Sequence, residues 1–148
     1  MRQAYRILAD LIAIGVAVQS MAMVWAIAGL LHWVDDGGTL KSGWDDHMPD
    51  FQGSSGFAIH GIIGGMVLPV LAIALFVVAF LAKVDGAVKW AGAVLAIVLV
   101  QVVAGYAGED APWLGLLHGL LPFAIFSAAI VAARAAHPGT QAAVAATP

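Results

Sequence analysis

The chain has 148 residues, of which 62% are hydrophobic and 10% are charged, and its mean hydropathy is +0.96. A soluble domain carries about 25% charged residues, so this composition indicates an integral membrane protein. The formal charge of −3 is small and gives no indication of a basic nucleic-acid interface. The absence of cysteine excludes disulfides, iron–sulfur clusters and covalent haem attachment, so any cofactor needs other ligands.

Four apolar stretches are long enough to cross a bilayer, which takes about 20 helical residues. They are predicted at residues 5–33, 55–82, 88–107 and 112–136. The first is longer than the apolar core of a signal peptide, about 7–15 residues, so it is expected to be retained as a span. Because short turns join antiparallel neighbours, the sequence predicts an all-α, integral membrane four-helix up-down-up-down bundle. It forms a single domain over 1–137, and the tail at 138–148 is expected to be disordered.

Basic residues predict the orientation of the spans, because cytoplasmic loops are enriched in lysine and arginine. Lys41 alone falls at one end of the bundle. The basic residues at the other end are Arg2, Arg6, Lys83, Lys89 and Arg134. The chain is therefore expected to be a multi-pass protein of the bacterial plasma membrane, with both termini in the cytoplasm.

The first loop contains the acidic stretch DDHMPD, which includes His47. We expect this stretch to be a solvated acidic loop rather than a site for a divalent metal.

Two histidines occupy matched positions in the second and fourth predicted helices. His60 lies about five residues and His118 about six residues from the outer end of its helix, so both are about 7–9 Å deep at 1.5 Å per residue. Ionisable side chains within a membrane are energetically costly and tend to be functional. Two imidazoles at one depth, on helices that can lie diagonally across a bundle, predict the two axial ligands of one haem iron.

Glycines beside these histidines predict the clearance that a flat macrocycle needs. Gly61 and Gly64 follow the first histidine on its helix, and Gly115 and Gly119 flank the second. The alternative is that the glycines mark close helix contacts and that each histidine makes an interhelical hydrogen bond.

Other polar residues have less specific interpretations. Gln101 is expected near the histidine level, where it bonds a ligating imidazole, a bound headgroup or a neighbouring helix. His32, at the outer end of the first helix, is an interfacial residue or a partner for haem propionates. Gln19 is expected deeper, with a structural role. Pro122 leaves the carbonyl of His118 without its usual helical donor.

Four stretches resemble an uncharacterised bacterial family of small four-helix membrane proteins, a domain of unknown function that is frequent in actinobacteria. They are VAVQSMAMVWAIAGL, IHGIIG, LAIVLVQVV and LLHGLLPFAIFSAAIVAARAA, and the resemblance covers residues 1–137. The arrangement is also similar to one half of haem A synthase, in which a four-helix unit carries histidines on its second and fourth helices near the outer face. In this chain QVVAGYAG is followed by a histidine in the next helix, which is similar to the pattern of that enzyme. This resemblance implies that His60 and His118 are the ligand pair. Diheme membrane b-type cytochromes need a second histidine pair towards the inner face, which this chain lacks, so one haem is expected.

The leading hypothesis is a membrane b-type cytochrome with one haem b between His60 and His118 near the outer leaflet. Bis-histidine iron has no open axial position, which favours electron transfer over oxygen binding. The expected partners are a quinone, a small oxidant or a redox protein, and whether the chain is an oxidoreductase enzyme stays open. One alternative is a non-catalytic subunit or assembly factor of a homo-oligomer or larger membrane complex. Another is a haem-free quinone- or lipid-binding protein with the headgroup near Gln101 and His118.

Overall fold

A computed structural model describes residues 1–41, 43 and 48–137, and four long helices lie within them. Helix α1 spans Arg2–Asp35, α2 spans Ser55–Ala79, α3 spans Ala87–Ala107 and α4 spans Leu114–Ala135. Each is long and apolar enough to cross a membrane, which confirms an all-helical fold with four candidate spans. His47 and the tail at 138–148 lie outside the described residues.

The helix ends differ from the predicted spans by a few residues. α2 ends at Ala79, three residues early, and the following turn contains Lys83 with a positive φ of 51°. α4 begins at Leu114, because Pro112 and Trp113 form a turn in front of it rather than its first helical turn. Apolar periodicity locates a span, whereas the residue at which the backbone leaves the helix depends on local turn geometry.

The four helices pack in a ring. α1 contacts α2 and α4, and α3 contacts the same two helices, so α2 and α4 lie across the bundle from each other. Small residues allow close approach: a Cβ on Gly56 of α2 would overlap the carbonyl oxygen of Ala22 in α1. Near the start of α1, the hydroxyl of Tyr5 donates to the carbonyl oxygen of Ala87 in α3, 3.1 Å away.

An apolar core fills the bundle at the end where α1 begins. Large apolar side chains on the opposite faces of the helices are exposed, as expected for helices that contact lipid. The core ends at four residues, one from each helix: Val16, Leu68, Val98 and Ile125. The largest fully buried side chains are those of Tyr5, Ile12, Leu75, Val94, Val98 and Ile125.

The two halves of the chain repeat one pattern of buried residues. VAVQSMA in α1 and VLVQVVA in α3 share two valines, a glutamine and an alanine at equal spacing. Each buried residue of α3 has a buried counterpart in α1 at one constant offset, so α1 and α3 are equivalent elements of a twofold repeat. The pairs are Tyr5 with Ala87, Ala9 with Ala91, Ile12 with Val94, Val16 with Val98, Gln19 with Gln101 and Ala22 with Ala104.

The repeat extends to α2 and α4 through a one-residue insertion. HGII at 60–63 in α2 corresponds to HGLL at 118–121 in α4, but the buried residues that follow lie one position further along α2. A π-helical turn at Ile63–Val67 accounts for the extra residue, because a π turn takes one residue more than an α turn. The pairs are Leu68 with Ile125, Ala72 with Ala129, Leu75 with Ala132 and Ala79 with Ala136.

An aromatic cluster lies at the opposite end of the bundle from the core. Phe51, from the end of the first loop, is buried and stacks on Trp33 of α1 with ring centroids 6.0 Å apart. The same ring meets Phe57 of α2 edge-on at 6.5 Å. Gly53 makes the turn into α2 with a φ of 101°, a conformation that favours glycine. The end of the loop at Phe51–Gly53 is thereby held against α1 and α2.

Replacing Gly56 with alanine is expected to lower the thermal unfolding midpoint of the detergent-solubilised protein. The added Cβ overlaps the backbone of Ala22, and such overpacking costs about 1–3 kcal/mol in the free energy of unfolding. Gly61→Ala on the same helix is the matched control, since a Cβ there meets nothing within 4 Å. Equal midpoints for the two variants would contradict the close approach of α1 and α2.

Candidate functional site

Each helix contributes one polar side chain to a layer just beyond the apolar core, and these are Gln19, His60, Gln101 and His118. The two imidazole rings, from helices that lie across the bundle from each other, have centroids 5.9 Å apart and planes inclined at 67°. The glutamines are buried, with exposed fractions of 4% and 7%. The structure therefore brings together the two predicted histidines and Gln101, and it adds Gln19.

Both histidines use the same ring nitrogen for the same kind of hydrogen bond. Nδ1 of His60 lies 3.1 Å from the carbonyl oxygen of Gln19, and Nδ1 of His118 lies 3.1 Å from that of Gln101. A carbonyl oxygen only accepts, so each Nδ1 carries a proton and donates it. A neutral imidazole then has its lone pair on Nε2, which is a common arrangement for a metal-binding histidine. The two halves of the repeat thus hold their imidazoles through the same kind of Nδ1 hydrogen bond.

Gln101 also holds His118 through its side chain. Its Nε2 donates to the carbonyl oxygen of His118 at 2.9 Å and lies 3.5 Å from the ring Nε2. Pro122 has no N–H to offer that carbonyl, so the amide replaces the missing helical donor. The other end of the amide is different: Oε1 of Gln101 is buried and accepts no hydrogen bond from any residue that the structure describes.

Two clefts extend from this layer towards opposite sides of the bundle. The α2–α3 cleft has a volume of about 390 Å³, and the α1–α4 cleft has a volume of about 520 Å³. Both clefts are lined by all four residues of the layer. Exchanging the helix pairs α1–α2 and α3–α4 exchanges the two clefts, so they are equivalent positions of the repeat.

The donor set fits an iron that a macrocycle already holds. Within residues 1–41, 43 and 48–137, no group of three or more histidine, cysteine or acidic side chains could hold a metal ion, and the layer contains two imidazoles. Two imidazoles that would hold one iron must each approach it within a metal–nitrogen bond of about 2 Å. Rings with centroids 5.9 Å apart are close enough to do so. The clefts beside the rings are the room that a flat group needs.

The predicted glycines divide between the two clefts. Gly61 and Gly64 line the α2–α3 cleft, and Gly119 lines the α1–α4 cleft. Gly115 lines neither of them, and a Cβ added to it would meet nothing within 4 Å. Three of the four predicted glycines therefore border the space beside the histidines.

His32 lies away from the layer. It is near the end of α1, about 20 Å along the helix from Gln19 at 1.5 Å per residue. Its side chain is 71% exposed, and its Nε2 lies 3.8 Å from a carboxylate oxygen of Asp36. The structure does not bring His32 together with the histidine pair.

The depth of Gln19 in the bundle was predicted wrongly from the sequence. It was expected to lie deeper than the histidines, but α1 continues beyond the ends of its neighbours, so counting residues from the end of α1 overstated the depth. Its carbonyl is the acceptor for His60, and its side-chain Oε1 faces Gly64 of α2. The internal repeat of VxVQxxA, which pairs Gln19 with Gln101, is the sequence signal that could have placed it.

Comparison of the chain with protein-family models, with curated proteins and with solved structures finds no match. The resemblance to haem A synthase and to the small four-helix family stays a prediction. The assignment of a function depends on the geometry of the polar layer.

Gln101→Leu is expected to destabilise the protein by about 1 kcal/mol, because it leaves the partly buried carbonyl of His118 without a donor. Pro122→Ala restores a helical N–H to that carbonyl, so the same substitution should cost less in a Pro122→Ala background. The four proteins form a double-mutant cycle that is measured by reversible unfolding in mixed detergent micelles. A Gln101→Leu penalty that is independent of residue 122 would show that the amide does not replace the missing donor.

Proposed function

We propose that the chain is a membrane b-type cytochrome that binds one haem b between His60 and His118 and transfers single electrons. The observation that supports this most directly is the pair of imidazoles on helices across the bundle, 5.9 Å apart, each donating through Nδ1 to a backbone carbonyl. Two neutral nitrogen ligands suit a low-spin iron whose task is electron transfer.

Different residues of the chain would bind the haem iron and orient its ligands. When bound, haem supplies a one-electron couple at its iron. His60 and His118 would hold the iron, and the backbone carbonyls of Gln19 and Gln101, which accept from Nδ1, would fix both rings and raise the basicity of Nε2. The core that ends at Val98 limits the access of water from one side.

We also propose an orientation for the chain in a bacterial plasma membrane. Contacts between Arg2 and the carbonyl of Lys83, and between Gly15 and Leu68, support spans that alternate in direction. The cluster of basic residues at the Arg2 end then favours cytoplasmic termini. The polar layer lies nearer the outer ends of α2 and α4 in this orientation.

A fusion test checks this orientation. Alkaline phosphatase, which is active only outside the cytoplasm, is expected to be inactive when fused after Pro148 and active when inserted at Gly43. The opposite pattern would place the termini outside.

A second candidate function is the haem-free binding of a quinone or lipid headgroup in the same cavity. The observation that favours it is the buried Oε1 of Gln101, which has no donor among the described residues. An optical spectrum of the purified protein separates the two candidates, because only a bound haem gives reducible bands.

Purified protein from cells supplied with ample haem precursor is expected to show a Soret band and, after reduction with dithionite, a sharp α band. His60→Ala and His118→Ala should each remove one axial ligand and abolish the low-spin spectrum. His32→Ala is the matched control, because this exposed imidazole lies away from the layer, and its spectrum should equal that of the wild type.

Two results would overturn the proposal. One is a wild-type protein, folded by circular dichroism, without reducible haem bands. The other is a low-spin spectrum that persists in both His60→Ala and His118→Ala.

A further inference from the structure

The side-chain amide of Gln19 is buried but makes no hydrogen bond with any residue that the structure describes. The residue is 4% exposed, and its backbone carbonyl accepts from Nδ1 of His60, whereas neither Oε1 nor Nε2 of the side chain has a described partner. Buried polar atoms are nearly always paired. An amide whose donor hydrogens and acceptor oxygen are all open therefore calls for a bound partner.

The equivalent amide in the second half of the repeat is already used by the fold. Pro122 has no N–H for the carbonyl of His118, and Nε2 of Gln101 donates to that carbonyl at 2.9 Å instead. The side chain of Gln101 is therefore committed to holding α4 against α3.

In the first half of the repeat the helix supplies its own donor. The equivalent of the proline is Gly64, and the carbonyl of His60 accepts from the backbone N–H of Ile63 within α2. No carbonyl beside Gln19 needs a replacement donor, so its amide is left free by the same sequence difference that occupies the amide of its counterpart.

The free amide is open to both clefts. Gln19 lines each of them, and a Cβ on Gly64 would lie 3.0 Å from its Oε1. Oε1 of Gln101 is enclosed by protein atoms, but the amide atoms of Gln19 are not. A group bound in the layer can therefore reach Gln19.

The position of Gln19 places this amide at the edge of a flat group held between the histidines. The rings of His60 and His118 come from helices that lie across the bundle from each other, so such a group has one edge towards α1 and another towards α3. The edge towards α3 meets Gln101, whose amide donates to its own neighbour. The edge towards α1 meets the open amide of Gln19.

The charge of the clefts determines which form of a carboxyl group this amide can bind. Neither lysine nor arginine is among the described residues that line the clefts, and Glu109 lines the α2–α3 cleft. An ionised carboxylate without a cationic partner is costly in apolar surroundings, so a carboxyl group held here stays protonated and neutral. A primary amide is complementary to this form, because the acid O–H donates to Oε1 while Nε2 donates to the acid carbonyl oxygen.

We propose that Gln19 positions the haem by pairing, through both ends of its amide, with one propionic acid group in its protonated form. This rests on the proposed function, since the acid group belongs to the haem. Gln19 does not bind the iron; it is a positioning residue that favours a macrocycle with a carboxyl group at the edge facing α1. The two glutamines of the repeat thus differ in role, because Gln101 holds His118 and Gln19 holds the ligand.

The test combines two proteins with two iron porphyrins, and binding is followed by absorption as the haem-free protein is titrated. Hemin carries two propionate groups, and iron octaethylporphyrin carries none. Gln19→Leu should weaken hemin binding about tenfold through the loss of two hydrogen bonds, and it should change the affinity for iron octaethylporphyrin by less than about twofold. The low-spin spectrum of bound hemin should stay unchanged, because the substitution keeps the backbone carbonyl that accepts from His60.

Ser20→Ala is the matched control for this substitution. Ser20 follows Gln19 and lines the α1–α4 cleft, but its hydroxyl donates to the carbonyl of Val16 in its own helix. The hemin affinity of Ser20→Ala should therefore equal that of the wild type. Equal hemin affinities for the wild type and Gln19→Leu, or an equal loss for both porphyrins, would overturn the proposal.

Infrared spectroscopy of the wild-type holoprotein keeps the proposal falsifiable if Gln19→Leu does not fold. With haem labelled with carbon-13 at the propionate carboxyl carbons, we expect the carbonyl stretch of a neutral carboxylic acid at neutral pH, and this band should shift with the label. The proposal is wrong if the labelled groups give carboxylate bands alone.

The titration separates the failure of this inference from that of the proposed function. A wild type that gives no low-spin spectrum with either porphyrin refutes the cytochrome, and this inference with it. Low-spin spectra together with affinities that do not depend on Gln19 refute the inference alone.

Discussion

An imidazole N–H in the apolar interior of a membrane protein must find an acceptor, and in this chain the acceptor is the backbone of the neighbouring helix. His60 donates to α1 and His118 donates to α3, each at 3.1 Å. Because an unpaired polar group in this environment costs several kcal/mol, these two bonds fix how far α2 is shifted along α1 and α4 along α3. The separation of the rings and the shape of both clefts depend on those two registers.

The π-helical turn reconciles two demands on α2. His60 must face the acceptor on α1, while Leu68, Ala72, Leu75 and Ala79 must face the core. An α-helix turns by about 100° per residue, so one extra residue in an unbroken α-helix would point one of these two sets towards lipid. The turn at Ile63–Val67 absorbs the insertion, and both sets keep their faces. In α4 no insertion is present, and Pro122 occupies the corresponding part of the helix.

The helical fold, the spans and the histidine pair could be predicted because each depends on local pattern. Apolar length alone identifies four spans, and counting residues from the starts of α2 and α4 brings His60 and His118 to one level. Counting residues from the outer end of α1 gave the wrong depth for Gln19, because α1 extends past the outer ends of its neighbours. The number of residues along one helix does not tell where the neighbouring helices begin. The orphan Oε1 of Gln101, the contact between Gly65 and Tyr106, and the place of Glu109 arise from packing between helices. A linear pattern of apolar residues does not contain such contacts.

The twofold repeat distinguishes the residues that are the same in both halves of the chain from the residues that differ between them. Each helix pair carries one imidazole, one glutamine carbonyl and one wall of each cleft. Because both halves lie in one chain, a substitution in one helix pair leaves the other pair unchanged, which two identical chains related by a twofold axis would not allow. The α2–α3 cleft can therefore carry Tyr106 and Glu109 while the equivalent positions of α1, Val24 and Ile27, stay apolar.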